Sequence, residues 1–318
     1  MVRYCAGIDI GGTTVKCGIF TVEGVLTDKW EVPTRKEDGG RNILPDVAKS
    51  LVKKLKDNEI TKDEVAGIGM GVPGPVQPDG YVDVCVNLGW KHVYPAKQLS
   101  ELLGGGINCF VGNDANVAAL GEMWMGGGKG YKNLVAVTLG TGVGGGIILD
   151  GHIVAGTRGL GGEIGHMHVR EEEKESCNCG GKGCLEQVAS ATGIAREAVR
   201  NMKKSKKAST MRQFGDAITA KDVCDCAKAG DELAQETIET SMHYLAWALA
   251  NVTMVVDPEV FVIGGGVSKA GQWLIDILNK DFVELTPLCR IRPVIELAKL
   301  GNDAGIYGAA RQVLGENA

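Results

Sequence analysis

Four things are missing from this 318-residue chain, and each absence removes a class of function. No apolar run approaches the roughly 20 residues that a helix needs to cross a bilayer. The opening Met1-Val-Arg-Tyr-Cys5 leads directly into a strand pattern, without the basic, apolar and small-residue sections of a secretion signal, so a cytoplasmic protein is expected. There is no surplus of positive charge: the formal net charge is −5, and the basic run Lys203 to Lys207 reads as a solvated loop. A general attraction to nucleic acid is therefore not expected. Finally, Gly-x-x-x-x-Gly-Lys-Ser/Thr occurs nowhere, which excludes a P-loop enzyme. What remains, with 44% hydrophobic and 23% charged residues, is a globular chain longer than one typical core, and two domains are the natural expectation.

What is present begins with Gly7 to Phe20, two short apolar runs joined by Gly11-Gly-Thr-Thr14 and preceded by Asp9. Gly11 and Gly12 can take positive φ and let backbone N–H groups approach an anion, Thr13 and Thr14 add donors, and Asp9 could hold a metal through water. The same design recurs 129 positions later without a gap, where Val137-Thr-Leu-Gly-Thr-Gly-Val-Gly144 falls on Ile8 to Val15. Either turn alone reads equally as a Gly-rich hairpin without a ligand, and their repetition weakens that alternative.

Seven of the ten cysteines are scattered through apolar or helical stretches and read as packing residues. The other three, Cys177, Cys179 and Cys184, stand in Cys-Asn-Cys-Gly-Gly-Lys-Gly-Cys, where the glycines allow a loop to curl and bring several sulfurs to one point, as in a zinc knuckle. A reducing compartment argues against the disulfide alternative.

Strand, turn and strand open the chain, with a third strand through Val22 to Val32. Ile43, Leu44, Val47, Leu51 and Leu55 then mark an amphipathic helix, and Val65 to Met70 another strand. Gly69-Met-Gly-Val-Pro-Gly74 and Gly140 to Gly145 both satisfy Gly-x-G-x-x-Gly, yet neither opens a helix, so neither reads as a dinucleotide fingerprint. The first continues into Pro75, Pro78 and Gly80 as irregular loop. A strand at Ile107 to Val111 delivers Asn113 and Asp114 to the N-terminus of a helix running to Met125, where Asp114 could simply be an N-cap. A long helix through Ile238 to Val256 precedes the strand Val260 to Ile263, the triplet Gly264, Gly265 and Gly266, and a helix that Ser268 could cap. Such a junction suits the backbone contacts of a nucleotide, or is a tight turn without one. The last helix, Asp303 to Val313, carries small residues that permit close packing. Strands before helices in two halves argue α/β architecture.

In their order along the chain, Asp9 to Thr13, Gly69 to Gly74, Asn113-Asp114, Leu139 to Gly142, Glu163-Ile-Gly-His166, Cys177 to Glu186 and Gly264 to Ser268 resemble the ROK family of sugar kinases and repressors. The resemblance spans nearly the whole chain and, through Gly7 to Lys16 and Leu300-Gly-Asn-Asp-Ala-Gly305, looks most like the bacterial ATP-dependent glucokinases. It implies the two-domain actin-like ATPase (ribonuclease H-like) fold with an interdomain cleft: a small α/β domain of 1–112 plus the C-terminal helix 303–318, and a large one of 113–302 carrying a zinc loop at 166–186. The cleft would close over the sugar about hinges near 112 and 303.

The resemblance further implies ATP with Mg²⁺ as phosphoryl donor and glucose, or a related hexose such as N-acetylmannosamine, as acceptor. Asp114 becomes the catalytic base for the sugar's 6-hydroxyl, and a helix N-terminus favours its ionised form. Asp9 would support Mg²⁺ through water, Gly11, Gly12, Thr13, Gly140, Thr141 and Gly142 would bracket the phosphates, and Gly264 to Gly266 would approach the adenosine. The sugar falls to Asn87, Asn113, Asp114, Glu163, His166 and Glu186, a set rich in acceptors. His166 doubles as ligand to a structural Zn²⁺ with Cys177, Cys179 and Cys184, while His168 is a rival ligand two positions on. Repressors of this family carry a further segment before the first hairpin, and only six residues precede Gly7 here, so a kinase is expected. A homo-oligomer, dimer or tetramer, is implied by the resemblance alone.

Overall fold

The computed structural model describes residues 2–315. Strands β1 (Tyr4–Ile10), β2 (Thr14–Thr21) and β3 (Leu26–Pro33) form an antiparallel run in which Asp9 pairs with Lys16. Helix α1 (Ile43–Asp57) follows, burying Ile43, Leu44, Val47, Ala48, Leu51 and Leu55 along one face as its apolar spacing requires. It returns the chain to β4 (Val65–Val72), which lies parallel to β1 and is buried along most of its length because both of its faces are covered. After the irregular loop through Pro75, Pro78 and Gly80 comes a short antiparallel pair to which the sequence reading gave no element, β5 (Val82–Cys85) and β6 (Trp90–Val93). Then come α2 (Pro95–Leu102), β7 (Cys109–Asn113), parallel to β4, and α3 (Asp114–Met125), which starts with no intervening loop.

Strands β8 (Leu134–Leu139) and β9 (Val143–Leu149) begin a second series, followed by β10 (His152–Ile153) and a helical turn at Ile164–His166. Four helices come next: α4 (Glu186–Ala189), α5 (Ala191–Lys204), α6 (Ala220–Lys228) and α7 (Glu232–Val256). The chain ends through β11 (Val260–Gly264), α8 (Gln272–Leu285), β12 (Val294–Leu297) and α9 (Ala304–Leu314). The two main sheets are ordered β3-β2-β1-β4-β7 and β10-β9-β8-β11-β12. Position for position these are the same topology, and the 129-residue sequence offset holds at both hairpins, from Ile10 to Leu139 and from Thr14 to Val143.

Two compact units emerge. The first gathers the residues up to Lys132, Gly146–Gly162 and those from Leu300 onward; the second gathers Asn133–Gly145 and Glu163–Lys299. In the first, the core lies between the sheet and α1, with Ile8, Ile10, Val15, Ile68 and Met70 fully inside. The small residues of α9 are used there: a Cβ on Gly7 or Gly69 would run into the carbonyls of Ile306 or Ala309, and one on Gly308 into that of Val117. Helix α9 therefore rests directly on the backbones of β1, β4 and α3. In the second unit β8, β11 and β12 are parallel, and Phe261 of β11 meets Phe282 of α8 edge to face at 5.8 Å. Among the described residues no helix is long and apolar enough to cross a membrane.

Candidate active site

In the first unit the sheet delivers the predicted residues to one end, because Asp9 lies beside Gly71 and Val72 beside Asn113 in parallel register. This is the carboxyl end of the strands, where ligands of open α/β sheets sit. The first hairpin turns there. Neither Gly11 nor Gly12 takes the positive φ expected of it. Gly11 is required for another reason: its N–H donates to the Thr14 carbonyl at 3.1 Å, and a Cβ would approach that oxygen to 2.8 Å. Gly12 is open, its nearest non-neighbour being the carbonyl of Asn87, 3.8 Å from where a Cβ would stand. Asn87 is thus brought beside the hairpin. Thr34, which the sequence reading passed over, secures the turn: its hydroxyl donates to the Gly11 carbonyl at 2.7 Å and its N–H to that of Thr13 at 2.9 Å. Burial pushes the Asp9 carboxyl pKa up, opposed by Lys16.

The cap of α3 is Asn113, not Asp114. Asn113 is extended at φ −61° and ψ 140°, and its Oδ1 accepts from the N–H groups of Ala115 and Asn116 at 3.0 and 3.1 Å. Its amide donates to the Gly74 carbonyl at 3.1 Å, joining the helix to the loop after β4. Asp114 is the first helical residue, with Oδ1 2.8 Å from the Ala115 N–H.

The second unit repeats the arrangement with different partners. The Gly140 N–H donates to the Gly142 carbonyl at 2.9 Å, and the Ala191 N–H of α5 to the Gly140 carbonyl at 2.8 Å. Gly264 pairs with Thr138, so the triplet after β11 stands beside this hairpin. Gly265 has φ +87° and presses on the backbone of Leu139, a position open only to glycine, whereas nothing lies within 4 Å of a Cβ on Gly266. Ser268 caps no helix: it lies inside a helical turn at Val267–Ala270 and its hydroxyl donates to the Gly265 carbonyl at 2.9 Å, while Gly271 precedes α8. Glu163 and His166 are exposed at the two ends of one turn, the His166 N–H donating to the Glu163 carbonyl at 3.1 Å. Glu186, at the start of α4, accepts from the Val143 N–H at 3.1 Å and lies 3.7 Å from Cys177 Sγ.

His166, Cys177, Cys179 and Cys184 offer ligand atoms all within 4.8 Å of one another, a Cys₃His set able to hold a metal ion. The Cys179 and Cys184 sulfurs are 3.6 Å apart, far beyond the roughly 2.05 Å of a disulfide. His168 stands outside the set, its Nδ1 2.8 Å from the Lys182 carbonyl. The loop is clamped from behind by charges the sequence reading missed. Gln187 accepts from the Cys184 N–H and donates to the Glu175 carbonyl, both at 3.1 Å. Arg200 of α5 grips Glu173 at 2.7 and 2.9 Å and reaches Glu175 and Glu197, and Arg170 forks onto Glu197 at 2.8 and 3.0 Å. The helical spacing of Arg196 and Arg200 opposite Glu173-Lys-Glu175 was the available signal. A cavity of about 990 Å³ in the first unit, lined among others by Phe110, Met123, Tyr131 and Gln312, contains none of the predicted site residues.

This geometry agrees with the relatives of the chain. A glucokinase of Halalkalibacterium halodurans is 45% identical over 312 residues, covering 96% of this chain and 93% of the relative. One of Thermotoga maritima is 35% identical, covering 96% and 95%. The solved structure of a ROK family glucokinase from Streptomyces griseus in complex with glucose and AMPPNP superposes with a TM-score of 0.73 at 29% identity, covering 97% of this chain and 98% of that one. The ROK family model matches residues 5–316. With its paired sheets, its repeated hairpins and its Cys₃His loop, this α/β chain of the two-domain actin-like ATPase fold belongs to the ROK family.

Proposed function

We infer that the chain phosphorylates glucose with ATP to give glucose 6-phosphate, and that Asp114 takes the proton from the attacking 6-hydroxyl. The observation that carries this is the division of labour at the start of α3. Because Asn113 satisfies the first N–H groups of the helix, the Asp114 carboxylate stands in the first turn without being the cap, where the dipole favours its charged form. The names of the relatives and the glucose and AMPPNP of the solved neighbour support the same donor and acceptor.

Phosphoryl transfer asks mainly for alignment and charge stabilisation. Gly11, Gly12 and Thr13, with Gly140, Thr141 and Gly142, offer backbone and hydroxyl donors to the phosphates, and the open side of Gly266 leaves room for the nucleotide beside Gly264 and Gly265. Asp9 suits Mg²⁺ held through water: it is a half-buried carboxylate at the carboxyl end of β1, and the bare Cα of Gly305 makes room for it where a Cβ would meet its carboxyl. The cation would neutralise charge on the phosphates. The hexose is read by Asn87, Asn113, Glu163, His166 and Glu186, and a site that hydrogen-bonds a hydroxyl rejects an analogue lacking it by about 10⁴-fold. The Cys₃His set fits a structural Zn²⁺, which His166, Cys177, Cys179 and Cys184 would hold and which would brace the loop that presents Glu186. Ten free cysteines fit the reducing cytoplasm. A homo-oligomer belongs to the same reading, supported by Trp247, Met254 and Val255 exposed along one side of α7, and light scattering measures it.

The deciding experiment is a coupled assay of glucose, mannose and N-acetylmannosamine against ATP and polyphosphate. Glucose with ATP is expected to give the highest kcat/KM. Turnover of N-acetylmannosamine alone would replace the sugar, and turnover of no hexose would end the kinase reading.

A further inference from the structure

We propose that Gly142 is a positioning residue for the sugar site: its missing side chain is the space occupied by the Glu186 carboxylate, so the second hairpin and the acids that read the hexose form one mechanical block. The inference rests on the kinase reading and adds to it a coupling between two groups of residues there assigned to different substrates.

Four contacts, all within the second unit, carry it. A Cβ built on Gly142 would fall inside the Glu186 carboxylate. The Val143 N–H donates to Glu186 Oε2 at 3.1 Å, which removes that N–H from those the hairpin can offer a phosphate. Glu186 Oε1 lies 3.7 Å from Cys177 Sγ, so the same carboxylate reaches the metal-binding set. A Cβ on Gly165 would run into the Val143 carbonyl, so the turn bearing Glu163 and His166 also packs backbone to backbone on the hairpin. Glu186 is thereby held through Oε2 before any hexose arrives, with Oε1 beside the metal-binding set, as a preorganised acceptor should be. By linkage, a hexose that draws on Glu186 alters its bond to Val143, and bound hexose changes the hairpin's affinity for phosphate by the same factor as bound phosphate changes the affinity for hexose.

A residue serving phosphate alone would show itself in the KM for ATP. The test uses the full-length, zinc-loaded protein and a double-mutant cycle of Gly142→Ala and Glu186→Ala, with four readouts: KM for the hexose, KM for ATP, zinc content and the thermal unfolding midpoint. Gly142→Ala is expected to raise the hexose KM by about tenfold or more, since small displacements of a positioning group are costly. The KM for ATP, whose phosphates the same hairpin faces, should rise by a smaller factor than the hexose KM, with zinc content unchanged. It should also lower the unfolding midpoint in the wild-type background and leave it nearly unchanged in the Glu186→Ala background, where the carboxylate that it meets is gone. An altered KM for ATP with an unaltered KM for hexose overturns the proposal, and so does an equal loss of midpoint in both backgrounds. Should Gly142→Ala fail to fold, the double variant must fold; a double variant that also fails overturns it. The unfolding arm needs no sugar, so a wild-type protein that turns over no hexose defeats the kinase reading while leaving the Gly142–Glu186 coupling separately decided.

Discussion

At the first hairpin the Gly11 N–H closes on the carbonyl of Thr14, and two bonds from Thr34 hold the turn from its outer side. At the second the Gly140 N–H closes one residue sooner, on Gly142, and the turn is held by Ala191 of α5 and by the Glu186 carboxylate. The crowded glycine also changes place. At the first hairpin it is Gly11, pressed by its own turn, with Gly12 open; at the second it is Gly142, pressed by a side chain 44 positions further along the chain, with Gly140 open. The two turns share one pattern of residues and sit at matching points of matching sheets, yet the first is braced locally and the second by Ala191 and Glu186, more than 40 residues further along the chain. A repeated motif fixes a shape that the backbone can make, and the long-range partners decide which job that shape does.

The largest expected effect falls on the first region. Asp114→Asn keeps the size of the side chain and its contact with the Ala115 N–H while removing the base, so kcat should fall by about 10²–10⁴-fold with the KM for glucose nearly unchanged. Steady-state kinetics of the variant checks this, and near-normal kcat would remove Asp114 from the chemistry. Next comes Gly265→Ala, on the second region. A left-handed φ and the Leu139 backbone together make the site hostile to any Cβ, and a loss of about 2–5 kcal/mol of stability is expected by denaturant unfolding. At the first hairpin Gly12→Ala meets open space at a φ outside the left-handed range, so its stability should stay level or rise by about 0.4–1 kcal/mol. Equal losses at the two positions would break the comparison.

Removing the zinc proposed for the Cys₃His set sharpens it further. The Cys₃His loop supports the second hairpin through Glu186, and the first hairpin has no such support among its contacts. Chelation should therefore increase amide hydrogen exchange around Gly140 to Val143 and Glu186, and leave Gly11 to Thr14 unchanged. Equal loosening of both turns would show that the local bracing by Thr34 is not sufficient.

Much of this was legible in sequence because it is local. The 129-residue repeat predicted two hairpins, and the apolar spacing from Ile43 to Leu55 predicted α1. The β5–β6 pair went unassigned because its strands are only four residues each, too short for an alternation to stand out after the loop that ends at Gly80. Which of Asn113 and Asp114 caps α3 depends on which one is extended, a backbone angle that two neighbouring cap formers leave undecided. Ser268 was misread as a cap because Gly271 extends the turn before α8 begins. The bond from Val143 to Glu186, 43 residues apart, has no local signature at all.

The effect expected over the narrowest range of conditions is a pH dependence confined to the clamp behind the Cys₃His loop. Arg200 holds the Glu173 carboxyl at a pKa of about 2, from an ordinary value of 4.5, and the Glu173 side chain is 1% exposed, so solvent screens the pair little. A folded-state pKa below the unfolded one means that the contribution is fully present above pH 4.5 and is lost as pH falls toward 2, where the native carboxylate finally takes up its proton. The span corresponds to at most about 3 kcal/mol. Urea unfolding of the wild type and of Glu173→Gln at pH 6, 4 and 3 isolates it: the gap between the two should narrow as the solution is acidified. A gap that stays constant would mean that Arg200 contributes through packing against Glu173 rather than through charge, and the clamp would then be insensitive to acid while the loop it holds stays in place.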